Sequence, residues 1–188
     1  MPSPKLTTPI EFYKYYHIFN RGNNHEKLFY TDQNYLYFLK KYKKYLIEHV
    51  ATYAYCLMPN HFHLLIKTKS ENVSDQFRRF FQSYALSINK QEGRTGSLFT
   101  KPFRRLAVEN EDYMKWLVFY IHYNPEKHCI ISNFKNFRHS SFQALVSDSK
   151  TDLERNDLFE FFGGQKKFME FHNFHHEEKR IQKYIIEE

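Results

Sequence analysis

His61 and His63 stand two residues apart in Met58-Pro59-Asn60-His61-Phe62-His63-Leu64-Leu65-Ile66, and imidazole is the commonest protein ligand for a metal ion. The stretch reads as a buried strand, in which successive side chains alternate between faces. His61 and His63 then project together while Phe62, Leu64 and Ile66 point the other way into a core. A polar pair facing away from an apolar stripe marks a site on the open face of a sheet. Two incidental polar positions on a half-exposed strand give the same pattern, and two ligands do not complete a divalent site, which expects further oxygen donors.

A second constellation lies in Glu111-Asp112-Tyr113-Met114-Lys115-Trp116-Leu117-Val118-Phe119-Tyr120-Ile121-His122-Tyr123-Asn124-Pro125. Tyr120 and Asn124 are four residues apart, so on a helix they share a face and present a phenol and an amide oxygen to one point. On spacing alone the simpler account makes Tyr120 a core position and Asn124 a helix end, because proline disfavours α conformation at the residue before it.

The elements that must position these groups follow from periodicity. Residues 13–19 are aromatic and β-branched enough for a strand, closed by the turn-forming Asn20-Arg21-Gly22-Asn23-Asn24. Thr31-Asp32 can cap a helix running to about residue 49, with Tyr35, Phe38, Leu39, Tyr42, Leu46 and Ile47 at helical spacing. Residues 52–57 and the histidine strand, ending near residue 69, form a hairpin about Met58-Pro59-Asn60. A second amphipathic helix spans 73–90 through Phe77, Phe80, Phe81, Tyr84 and Ile88, followed by a loop with two glycines, a strand over 103–108 and a third helix over 112–123. The order β-α-β-β-α-β predicts an α+β fold, the ferredoxin-like split βαβ sandwich: an antiparallel sheet with helices on one face and the other face left free for the histidines. The catalytic domain is expected over 10–130, with a C-terminal helical extension over 131–188 that ends in a charged amphipathic tail helix over 165–186.

Composition narrows the class. A chain of 188 residues is long enough to bury one core. Tyr (15), Phe (20) and Trp (1) make 19% of it, more rings than a small core needs, so some are expected on a surface that stacks against a partner. Lys plus Arg outnumber Asp plus Glu by 28 to 21, a formal charge of +7 that favours a polyanionic partner such as nucleic acid. Two cysteines without a CxxC exclude a disulfide scaffold and a thiolate zinc site. No run approaches the roughly 18 apolar residues of a membrane span, and the first eight residues lack a signal-peptide apolar region, so the expected location is cytoplasmic.

At these residues the chain resembles the single-tyrosine HUH transposases, and within them the REP-associated tyrosine transposases. The matching stretches are His17-Ile18-Phe19-Asn20-Arg21-Gly22-Asn23-Asn24, the Met-Pro-Asn-His-Phe-His-Leu-Leu block at 58–65, Gly96-Ser97-Leu98-Phe99 leading to Phe103-Arg104, Tyr-Ile-His-Tyr-Asn-Pro at 120–125, and His139-Ser140-Ser141-Phe142. The likeness runs in register over 13–145 and more loosely through Gly163-Gly164. It implies the same split βαβ core, a divalent cation held by His61 and His63, Tyr120 as nucleophile and Asn124 as a third metal contact. Related transposases outside this branch often carry Gln at that last position.

The implied chemistry suits the residue types. A phenol with a pKa of about 10 is a poor nucleophile at neutral pH, so the phosphodiester must be activated by a divalent ion that neutralises developing charge. Attack by Tyr120 on DNA phosphorus leaves a 5′-phosphotyrosine and a free 3′-hydroxyl, and reversal rejoins strands with no nucleotide cofactor. Mixed His and amide ligation suits Mg²⁺ or Mn²⁺, although imidazole alone also attracts Ni²⁺ or Zn²⁺. The expected partner is single-stranded or hairpin DNA, in particular repeated palindromic elements, bound by a monomer or a homodimer.

Arg78, Arg79, Lys101, Arg104 and Arg105 form the densest basic clusters and are candidate DNA phosphate contacts, a solvated charged face being the alternative for each. His17 is expected as a core or hydrogen-bonded histidine in preference to a ligand, His122 faces away from Tyr120, and Tyr113 and Tyr123 are rival phenols. The tail histidines His172, His175 and His176 fit a solvated helix. Two other functions compete: an HUH nuclease of the replication or relaxase type, which the short chain disfavours, and a non-catalytic ferredoxin-like nucleic-acid-binding module, whose aromatic RNA-recognition signature is not visible.

Overall fold

The computed structural model of the chain describes residues 8–173. Four strands, β1 (Tyr15–Arg21), β2 (Val50–Met58), β3 (His61–Thr68) and β4 (Arg104–Val108), form one antiparallel sheet in the order β2-β3-β1-β4. Helix α1 (Asp32–Leu46) follows β1 and α2 (Val73–Gln91) follows β3, which is the expected split βαβ arrangement. α1 starts at Thr31, whose backbone N–H donates to Asn34 Oδ1 at 3.2 Å.

The two faces of the sheet are built differently. On one, Tyr16, Ile18, Leu57, Phe62, Leu64 and Ile66 meet the apolar stripes of α1 (Tyr35, Phe38, Tyr42, Leu46) and α2 (Phe77, Phe80, Phe81, Tyr84, Ile88), all buried. Each such ring or branched side chain withdrawn from water contributes about 1.5–3 kcal/mol. The chain's many Phe residues divide between this cluster and the one on the opposite face.

The opposite face is not open, which corrects the expectation of a free surface around the histidines. Helix α3 (Glu111–Lys127) lies across β2 and β3, and its residues Met114, Leu117, Val118, Phe119, Tyr120 and Ile121 are buried there. A helix apolar nearly all round has to be covered on several sides. The remaining sides of α3 are covered by the C-terminal elements α4 (Phe142–Val146), α5 (Arg155–Phe162) and α6 (Gln165–Asn173), which share its cluster through Phe142, Leu145, Leu158, Phe162 and Phe168. α3 also runs through Pro125 to Lys127, so Asn124 is an interior helical residue and not a helix end.

The residues 139–141 run along the outer edge of β2: Leu57 N–H donates to the His139 carbonyl at 2.9 Å and Ser141 N–H to the Tyr55 carbonyl at 2.9 Å. Covering an edge strand removes its unpaired backbone groups from solvent. His172 is buried in the α3 cluster, correcting its reading as a solvated tail position, while His175 and His176 lie outside the described residues. No helix among the described residues is long and apolar enough to cross a membrane.

Candidate catalytic and metal-binding site

The β2–β3 turn that delivers the histidines is fixed by backbone bonds from the segment after β1. Leu28 and Phe29 N–H donate to the Pro59 carbonyl at 2.8 and 3.1 Å, and Gly22 N–H donates to the Asn60 carbonyl at 2.8 Å. Gly22 is required there because a Cβ would overlap the Glu26 carbonyl. The start of β3 is thereby held at a set height against β1, where His61 pairs with Arg21 and His63 with Phe19.

His61 and His63 project to the same face as expected, but into the crevice under α3, with only 6% and 1% of their surface exposed. Asn124 is fully buried and turns its Oδ1 to His61 Nε2 at 3.3 Å, so β3 and α3 do bring the histidine pair and the amide together. The Tyr120 ring, one helical turn earlier, stands edge-on to His63 with centroids 5.4 Å apart. His17 on β1 completes the pocket wall, its Nε2 lying 2.9 Å from His63 Nδ1.

The buried polar atoms of the site are incompletely paired. Burial pushes the His61 pKa down to about 4, with the Asn124 contact opposing and the charges of His128, Lys127 and Arg21 reinforcing the fall. The neutral ring carries one proton, yet its Nδ1 faces Asn60 Oδ1 at 2.8 Å and its Nε2 faces Asn124 Oδ1 at 3.3 Å. Only one of those two acceptors can be served. Burial likewise drives His63 well below the ordinary histidine value, helped by His17, His61, His128 and Lys127. Among the described residues, His63 Nε2 and Asn124 Nδ2 have no hydrogen-bond partner although both atoms are buried. The bare His63 Nε2, next to His61 and the Asn124 amide oxygen in a buried crevice, fits a divalent cation, which satisfies acceptor atoms without a proton. No group of three His, Cys, Asp or Glu suited to a metal occurs among the described residues.

The expected basic residues are scattered. Arg104 and Arg105 are neighbours in a strand and therefore point to opposite faces. Arg104 lies beside Phe19 on the histidine face, 5.8 Å from its ring centroid, whereas the Arg105 guanidinium lies 5.0 Å from the Phe103 ring and donates to the Thr8 carbonyl. Arg78 and Arg79 are exposed on α2, behind the sheet, with Arg78 paired to Asp75, and Lys101 is exposed in the loop before β4. The cations near the histidines are others: Lys127, whose Nζ is 5.5 Å from the Tyr120 ring centroid, and Arg21, opposite His61. His128 joins them, its ring 5.2 Å from that of His61. Lys127 and His128 follow Tyr120 by seven and eight residues, the spacing of one helix face, so the sequence did carry a signal for them.

His122 faces the other side of α3, as expected. Its Nε2 contacts Ser141 Oγ at 2.9 Å and its Nδ1 contacts His172 Nε2 at 3.0 Å, tying α3 to α6 and to the segment edging β2. Of the rival phenols, Tyr123 stacks on Phe119 at 5.4 Å, and Tyr113 sits at the start of α3 with its pKa pushed up by burial to about 12.

No protein-family model matches this sequence, and no curated protein matches it by sequence. Among solved structures, the chain is similar to a REP-associated tyrosine transposase bound to a REP hairpin, with a TM-score of 0.62 and 18% identity over 87% of this chain and 97% of that one. At that identity the likeness shows the fold: a four-stranded antiparallel sheet with helices packed on it and C-terminal helices added. The class defined by fold and site together is thus a split βαβ sandwich carrying a buried His-His-amide cluster beside a tyrosine.

Proposed function

We propose that this protein is a divalent-cation-dependent DNA strand transferase that cleaves and rejoins single-stranded or hairpin DNA through Tyr120. The observation that carries the reading is the clustering of His61, His63 and Asn124 beside the Tyr120 ring: Asn124 Oδ1 lies 3.3 Å from His61 Nε2, and among the described residues the buried His63 Nε2 has no hydrogen-bond partner. The neighbouring fold bound to a REP hairpin supports hairpin DNA as the substrate class, and the sequence blocks around His61, His63, Tyr120 and Asn124 support a transposase.

His61, His63 and Asn124 would hold a divalent ion, Mg²⁺ or Mn²⁺, which would supply charge neutralisation at the phosphodiester. Tyr120 Oη attacks phosphorus, the bond from phosphorus to the 3′-oxygen breaks, and the departing oxygen takes up a proton as the phenol releases one to solvent. The products are a 5′-phosphotyrosine and a 3′-hydroxyl. Lys127, beside the Tyr120 ring, and Arg21, paired with His61, together make the rim attractive to the DNA backbone. Attack by a second 3′-hydroxyl on the phosphotyrosine reverses the step, so no nucleotide cofactor enters.

The test is incubation of the protein with hairpin oligonucleotides and Mn²⁺ or Mg²⁺, followed by denaturing electrophoresis. A covalent adduct that needs the metal and disappears in Tyr120→Phe is the expected result. Tight hairpin binding with no adduct under any metal would replace this reading by that of a binding module.

A further inference from the structure

His17 stands outside the ligand set described above, yet it is in direct contact with it. β1 places His17 and Phe19 on the same face as His63, and the three rings lie nearly parallel: His17 on Phe19 at 4.5 Å and 22°, Phe19 on His63 at 5.8 Å and 19°, His17 on His63 at 5.1 Å and 23°. Tyr120 closes the stack edge-on to both histidines. The His63 ring is therefore walled in, and among the described residues its one polar contact is His17 Nε2, 2.9 Å from its Nδ1.

Two neutral imidazoles share one proton across that contact, and its side decides what His63 can do. If His17 Nε2 carries the proton, His63 Nδ1 accepts it and the His63 proton must sit on Nε2. That N–H is then buried with no acceptor among the described residues and cannot bind a cation. If His63 Nδ1 carries the proton and donates to His17 Nε2, His63 Nε2 is left as a bare lone pair aimed into the pocket.

We infer that His17 is a positioning residue that accepts the Nδ1–H of His63, locking that ligand in the tautomer and ring orientation in which Nε2 faces the metal pocket. The inference rests on the metal-site reading above. A hydrogen-bonded partner on the second nitrogen of a ligating histidine typically accounts for 10–100-fold in metal affinity. Ring stacking alone would preserve orientation but not the tautomer.

The experiment measures Mn²⁺ affinity of the full chain by titration calorimetry, without DNA, for wild type, His17→Phe, His17→Gln and His63→Ala. His17→Phe keeps an aromatic ring in the stack but no acceptor, and it should weaken Mn²⁺ binding by about 10–100-fold; His17→Gln, whose amide oxygen can accept, should stay within about threefold of wild type. Wild-type affinity in His17→Phe with a large loss in His63→Ala overturns this inference and leaves the metal site standing. Wild-type affinity in both variants overturns the metal site itself. Independently of any variant, a long-range proton–nitrogen spectrum of the Zn²⁺-loaded wild type should show His63 protonated at Nδ1 and coordinated at Nε2. A coordinated His17 nitrogen, or an unprotonated His63 Nδ1, would refute the assignment.

Discussion

Replacing Asn124 with leucine separates stability from function at the site. Asn124 is fully buried, its Nδ2 has no partner, and its Oδ1 faces a His61 nitrogen that is itself an acceptor whenever the ring proton serves Asn60. A buried polar group left without a partner costs about 1–3 kcal/mol, whereas an apolar group of similar size leaves nothing to satisfy. Asn124→Leu should therefore stabilise the metal-free protein by about 1–3 kcal/mol, an unusual sign for a change at a fully buried position. With metal present the order narrows or reverses. Mn²⁺ at roughly 100 times the wild-type Kd stabilises wild type by about 2.7 kcal/mol, but a variant whose Kd is raised about 10–100-fold gains only about 0.4–1.4 kcal/mol. Urea unfolding in chelator and again in Mn²⁺ gives both numbers from one protein preparation. A variant less stable than wild type in chelator, or one that gains as much from Mn²⁺ as wild type does, would show that the unsatisfied amide is not held in place for a cation.

Three further outcomes follow from the same geometry. Lys127→Ala and Arg21→Ala should each weaken hairpin binding at all sequences and reduce the slope of log affinity against log salt by about one, measured by fluorescence anisotropy, while Arg79→Ala on the far side of the sheet should leave the slope unchanged. His122 is fully buried and its pKa is held well below the ordinary value, by burial first and then by His172. Because the folded state binds fewer protons than the unfolded one, its contribution is fully present above the unfolded pKa of about 6.5 and is lost as pH falls below it, so the slope of unfolding free energy between pH 6 and 5 should drop by up to about 1.4 kcal/mol per unit in His122→Gln. No such difference in slope would place the His122 proton elsewhere.

Much of this architecture is legible in the sequence because the relevant patterns are local. The stripes of α1 and α2 are amphipathic, the hairpin is marked by Met58-Pro59-Asn60, and the four-residue spacing of Tyr120 and Asn124 does put them on one helix face. The covered histidine face is not local. It depends on where α3 packs, and the hint was the unbroken apolar run Trp116-Leu117-Val118-Phe119-Tyr120-Ile121, which an open-faced helix would not carry. The basic clusters misled for a simple reason: adjacency in sequence becomes opposition in a strand, so Arg104 and Arg105 part company. His172 escaped because its partners, His122 and the Phe168 carbonyl, come from α3 and from its own helix in a fold that charge patterning does not reveal.

The central claim is that Tyr120 forms a covalent bond to DNA phosphorus. Its most direct test is mass spectrometry of the protein after reaction with a hairpin oligonucleotide and Mn²⁺, nuclease trimming and proteolysis. A nucleotide-bearing peptide whose fragmentation places the added phosphate on Tyr120 is the predicted result, and the same adduct on Tyr113, Tyr123 or any other residue would contradict the account.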